Sequence, residues 1–227
     1  VHPRTVHLDH LGAGFLRDLE GQTTPDISNA DIAFHAMREY EPGDDRRFVH
    51  WLTTARVGKL MVRQFTDTRR AHLGVLVDGS PRAYATDDEF ELAVSVAGSL
   101  GLRAVLDEQQ LTMVAAERHL LCVTGQSMLD GLAAVELPRR HRSLAAAVDR
   151  LNRVASGMSL AVVITGSLTP LADLRGVSLR FDPDVRIVLV RIDPGGATEF
   201  RPVGSTLVLT VANLDELAHL LRVVSRS

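Results

Sequence analysis

From Arg38 to Trp51 the chain reads Arg-Glu-Tyr-Glu-Pro-Gly-Asp-Asp-Arg-Arg-Phe-Val-His-Trp, arginines, carboxylates and aromatics within about one helix and two turns. The sole tryptophan lies here, and the sole lysine, Lys59, follows shortly after. Such side chains do two kinds of chemistry. Planar guanidinium groups meet carboxylates in forked pairs of fixed geometry, which suits a joint. Arginine beside aromatics also makes recognition surfaces. In the first reading Asp44 and Asp45 cap a helix and pair with arginine, while Phe48 and Trp51 anchor that helix to the α/β part of the chain. In the second the same segment is a docking face.

Other chemistry is sparser. No GxxxxGK[ST] phosphate loop and no GxSxG nucleophile elbow occur. Gly12-Ala13-Gly14 lacks the third glycine and a preceding strand, so it fails as a dinucleotide fingerprint. The histidines show no HExxH spacing; His7 and His10 flank Asp9 in what reads as a solvated N-terminal segment. Cys122, alone in the chain, excludes an intrachain disulfide and a multi-cysteine metal site, and inside Leu120–Val123 it reads as a small buried hydrophobe. Arg139-Arg140-His141-Arg142 is a basic run, read as a solvated loop or a contact for an acidic partner or membrane surface.

Composition bounds the function further. The 227 residues carry 25 basic and 28 acidic side chains, a formal charge of −3, so phosphate neutralisation and hence nucleic-acid binding are disfavoured. No apolar run approaches the roughly 18–20 residues of a membrane span, and Val1–His10 is too polar for a signal peptide. A chain that opens on Val1 is expected to be a fragment or a processed product, with membrane segments upstream left open.

The elements that must position these groups fall into two portions, residues 1–70 and 71–227. In the second, Ala71–Asp78 is an apolar run read as a buried strand ending in Asp-Gly-Ser-Pro. Thr86-Asp87-Asp88-Glu89 opens a helix running to about Leu106. Strands are expected at Leu111–Ala116 and His119–Thr124, joined tightly at Glu117-Arg118, and at Ser159–Thr165, Val185–Ile192 and Ser205–Val211. Helices are expected at Ser143–Ala155, Leu168–Leu174 and Leu214–Val224, the last capped by Asn213. Apolar strands alternating with helices predict an α/β, doubly wound, mainly parallel sheet. The first portion is β-rich: Phe34–Tyr40 and Lys59–Thr66 read as strands, with a turn at Pro42-Gly43-Asp44 and a short helix ended by Gly58 between them.

The spacing RxYxxGDxxRxxxWxxxAR…LxVRxF, met as Arg38, Tyr40, Gly43, Asp44, Arg47, Trp51, Ala55, Arg56, Leu60, Val62, Arg63 and Phe65, resembles the signature of the bacterial domain-of-unknown-function 58 family. The resemblance implies a small β-rich portion joined to a von Willebrand factor A-like domain. It also implies a MoxR-type AAA+ ATPase as partner and, in many members, a pair of membrane helices ahead of this region.

It further implies a place for Mg²⁺. Such domains hold the ion at the C-terminal end of the sheet with a DxSxS loop, a distant threonine and an aspartate after the fourth strand. Here the loop is Asp78-Gly79-Ser80-Pro81-Arg82, with Arg82 where the second hydroxyl belongs. Gly166 follows Thr165 where the aspartate belongs, and Thr124 is the candidate distant threonine. Mg²⁺ demands near-octahedral oxygen ligation, so the loop is expected to be degenerate and to hold no cofactor; if any metal binds, Asp78 and Ser80 are its ligands. The expected function is a non-enzymatic adaptor at the cytoplasmic face of a membrane, tethered only through segments outside this chain. It would dock a protein partner through Asp78, Ser80, Arg82, Thr124 and Thr165. The alternative is a metal-dependent hydrolase or phosphoryl-transfer enzyme using Asp78, with Asp173 or Asp193 as the second carboxylate.

Overall fold

The computed structural model describes residues 1–9, 32–41, 49–67, 72–138, 143–203 and 206–224. The chain divides into two compact units, Gln22–Arg70 and Val1–Gly21 with Ala71–Ser227. In the smaller one, β1 (Ile32–Glu39) pairs antiparallel with β2 (Met61–Asp67), setting Glu39 opposite Met61. Helix α1 (Trp51–Val57) lies between them in sequence. Gly58 ends it in the left-handed conformation at φ 74°, its N–H returning to the Thr54 carbonyl, as a C-terminal glycine does. The cap at its start is His50, whose Nδ1 accepts the Thr53 N–H at 3.2 Å. Asp44 and Asp45, expected to cap, and Phe48 lie outside the described residues, as do Gly43 and Arg47.

No residue of α1 is buried, and Trp51 is 68% exposed. Val49 and Val62, which face each other in an antiparallel bridge, are buried instead.

The larger unit is built on β3 (His72–Val77), β4 (Gln110–Ala115), β5 (Arg118–Leu120), β6 (Leu160–Thr165), β7 (Arg186–Ile192), β8 (Glu199–Val203) and β9 (Thr206–Val211). They lie in the order β5-β4-β3-β6-β7-β9-β8. The five inner strands are parallel and the two edges antiparallel. Every residue of β3 and β6 is buried, which explains why they are apolar throughout but for His72 and Thr165 at their ends: both faces of a parallel sheet are covered. Val75, Val77, Val162 and Ile164 meet α2 (Asp87–Leu106) and α6 (Leu217–Val224) on one face. Leu76, Val163 and Leu189 meet α4 (Leu144–Val154) and α5 (Leu171–Ser178) on the other. The expected α/β architecture is the one observed. Among the described residues no helix is long and apolar enough to cross a membrane.

Four local expectations are corrected. Residues 1–9, expected with the β-rich portion, run along the α/β unit: Leu8 is buried in its core, the Val6 N–H donates to Ser99 Oγ at 3.1 Å, and Arg4 grips Asp215 at 2.7 and 3.0 Å. The turn after β4 is Ala116-Glu117, both at positive φ as a type I′ hairpin requires, one residue earlier than expected. The strand expected over His119–Thr124 stops at Leu120, and Thr124 opens a further helix, α3 (Gly125–Ala133). The helix expected at Leu168–Leu174 begins only after Pro170. Strand β8 escaped notice because Pro202 breaks its pattern, a residue tolerated on an edge strand.

Candidate functional site

The parallel strands stand in the order second-first-third-fourth-fifth along the chain. Sheet growth therefore reverses between β3 and β6, and open α/β sheets take ligands in the crevice at the C-terminal ends of such strands. Asp78 follows β3 there, and Thr165 ends β6. Both are buried, at 2% and 0% exposure. The Asp78 N–H continues the ladder to the Ile164 carbonyl at 2.8 Å. Its Oδ1 accepts the Ser80 N–H at 2.9 Å, the local turn aspartate favours, and its Oδ2 accepts the Thr165 hydroxyl at 2.8 Å. A hydroxyl has one proton, so across the 2.6 Å contact between Thr165 and Thr169 the Thr169 hydroxyl is the donor.

Tyr84 closes the crevice from the β3 loop. Its hydroxyl donates to the Asp78 carbonyl at 2.8 Å, and its ring stands edge-on to Phe90 at 5.2 Å. Burial first, and then the nearby charges of Asp78 and Glu89, push its phenol well above the ordinary tyrosine range. Glu89 is the second carboxylate at this tip and is 2% exposed. It comes from the first turn of α2, where Thr86 caps the helix by accepting the Glu89 N–H at 3.2 Å. A reciprocal capping box would send the Glu89 side chain back to the Thr86 N–H. Instead its Oε2 accepts the Ala85 N–H at 2.9 Å and the Ser167 hydroxyl at 3.2 Å, and its Oε1 accepts the Ser167 N–H. The Ser167 carbonyl in turn accepts from Arg191, at the far end of β7.

Of the residues expected to line the site, Asp78, Ser80 and Thr165 are brought together. Arg82 is exposed and stands outside this hydrogen-bonded set. Thr124 is also exposed; its side chain accepts the Ser127 N–H at 3.1 Å in a reciprocal capping box on α3, the role its sequence neighbours dictate. Asp173 sits in the first turn of α5, and Asp193 heads a turn closed by the Gly196 N–H at 3.0 Å. Glu89, Tyr84 and Thr169 were not foreseen. The one sequence signal was a glutamate beside two aspartates at a helix start, and it read as capping.

The donor set does not fit Mg²⁺. A Cβ at position 166 would stand 2.3 Å from the Ala83 carbonyl oxygen, 2.6 Å from the Tyr84 ring and 2.7 Å from Glu89 Oε1, so no aspartate can occupy it. Both Asp78 oxygens already accept protein donors, and the Thr165 hydroxyl proton points at one of them. Octahedral ligation would require these bonds to be given up. Among the described residues no group of three or more histidine, cysteine, aspartate or glutamate side chains is placed to hold a metal. Burial pushes the Cys122 thiol up to about 11, leaving it protonated at neutral pH and a poor nucleophile.

The arginine- and aromatic-rich signature belongs to the smaller unit and forms no single cluster among its described members. Arg38 Nη1 donates to the Glu39 carbonyl at 3.1 Å, and the Tyr40 N–H to the Leu60 carbonyl at 2.8 Å. Lys59 pairs with Glu39 at 3.1 Å. Arg56 is exposed in the last turn of α1, and Arg63 stands opposite Met37 in the β1–β2 ladder.

No curated protein matches the chain. The family described as Protein of unknown function DUF58 matches residues 36–209, from β1 through most of β9. The match spans both units and well over half of the sequence, and so the chain belongs to the DUF58 family.

Proposed function

We propose that this chain is a non-enzymatic, von Willebrand factor A-like adaptor that docks a protein partner at the tip of β3 and β6. In this reading it works with a MoxR-type AAA+ ATPase at the cytoplasmic face of a membrane, tethered through segments outside the chain. The partner and the location follow from the family resemblance. One observation supports the docking tip: the crevice where such sheets take small ligands is filled by the protein's own Asp78, Tyr84 and Glu89, while Pro81, Arg82 and Leu168 remain exposed on its rim.

A hydrolytic or phosphoryl-transfer site needs a reachable nucleophile or metal beside Asp78, and among the described residues no observation favours that reading. The test is titration of the purified full-length protein with its neighbouring MoxR-type ATPase, with and without ATP. Saturable binding, weakened about tenfold or more by Arg82→Glu together with Leu168→Asp, is expected for a surface that includes hot spots. Phosphatase or nuclease turnover abolished by Asp78→Ala in otherwise folded protein would replace the adaptor with an enzyme.

A further inference from the structure

We infer that the Glu89 carboxylate is a built-in cross-link holding the β3 and β6 loops in one arrangement without a divalent cation. The two loops leave adjacent parallel strands at the point where the sheet reverses its growth, so some bond must tie them together if the tip is to have one shape. Glu89 reaches both. Its oxygens accept the Ala85 N–H from the first loop and the Ser167 N–H and hydroxyl from the second. A further bond, from the Leu168 N–H to the Ala83 carbonyl at 2.9 Å, closes the same seam.

Burying a carboxylate is costly unless donors surround it. Glu89 has three from the two loops, each charge-assisted, and it sits in the first turn of a twenty-residue helix whose N-terminal dipole favours negative charge. Gly166 is the enabling residue, since any larger side chain would occupy the volume that Glu89 Oε1 and the Tyr84 ring now fill. The glycine that costs the tip a metal-binding carboxylate is thus the one that admits an internal carboxylate from α2. The cross-link stands whether or not a partner docks at this tip.

Amide hydrogen exchange on the intact chain, resolved at Ala85 and Ser167, tests it. In the native protein both amides are expected to be protected equally in Mg²⁺ and in EDTA. Glu89→Gln keeps the shape but loses the charge and one acceptor. It is expected to speed exchange at both amides roughly ten- to a hundredfold, the range for a lost charge-assisted bond, and to leave Val188 in the middle of β7 unchanged. Slower exchange at these amides on adding Mg²⁺, or unchanged rates in Glu89→Gln, would overturn the cross-link. If Glu89→Gln does not fold, the comparison of Mg²⁺ with EDTA in the native chain decides alone.

Discussion

His72 opens β3 and Asp78 follows its last residue; the two are 4% and 2% exposed, yet the ends of this strand are built on opposite electrostatic terms. At the first end the buried group is neutral. The Ser156 carbonyl can only accept, so Nδ1 of His72 carries the proton toward it at 3.2 Å, and Nε2 accepts the Thr112 hydroxyl at 2.9 Å. At the far end the groups are carboxylates, Asp78 and Glu89, each surrounded by N–H and O–H donors. A neutral imidazole needs only two partners to be buried, whereas a buried anion needs a shell of donors drawn from several loops. The first end is therefore sealed by one strand neighbour and one loop carbonyl. The second gathers several donors from the β3 and β6 loops, and it is the end where function is proposed.

The contrast breaks most sharply at two glycines. Gly166→Ala drives a Cβ into a backbone carbonyl and a buried ring, neither of which can yield, and is expected to destabilise the fold by about 3 kcal/mol or more. Gly74→Ala, within β3 itself, meets chiefly the flexible end of Met158 and should cost about 1 kcal/mol. Chemical denaturation of both variants checks the pair; equal losses would mean that the carboxylate end is no more rigidly packed than the strand interior.

Between these in size, Thr112→Val leaves Nε2 of His72 buried without its donor and should cost about 1–2 kcal/mol at pH 8, measured by the same denaturation. His72 also sets a pH dependence. Burial lowers its pKa below the ordinary 6.5, with the Ser156 contact opposing. The unfolded chain therefore binds the proton more readily, and stability is full above about pH 6.5 and declines as the pH falls through the interval down to the folded-state value. Thermal melts of native and His72→Gln protein across that interval should show the variant with the shallower slope. A parallel slope would place the acid-sensitive group elsewhere.

The smallest expected effect sharpens the comparison at the carboxylate end. Ala116, beside that end at the tip of β4, holds φ 42°, a conformation that glycine adopts without the steric penalty of a Cβ. Ala116→Gly is expected to stabilise by about 0.5–1 kcal/mol, read as a raised melting temperature. A loss of stability would show that the buried methyl matters more there than backbone strain.

Local chemistry made much of the fold legible in advance. Runs such as Ser159–Thr165 announce strands covered on both faces because they contain no polar alternation. Thr86 and Asn213 cap the helices they precede because a short side-chain oxygen can reach an N–H two or three residues on. The same locality does not choose a role for Trp51, since an aromatic surrounded by arginines has the composition of an anchor and of an exposed face alike. It misled at Thr124, whose capping of α3 depends on residues that follow it rather than on the apolar run before.

By itself, then, the order of residues determined most of the strands and helices, α3 and β8 excepted, and that Arg82 and Gly166 stand where a second hydroxyl and a second carboxylate were expected. Only tertiary structure decided that residues 1–9 lie along the α/β unit and that Glu89 leaves its own cap to bind Ser167, 78 positions away. The reason is physical. A cap or an apolar period is satisfied within a few residues, but a buried carboxylate takes its donors from whatever loops the sheet brings to its tip, and that assembly exists only once β3 and β6 lie side by side.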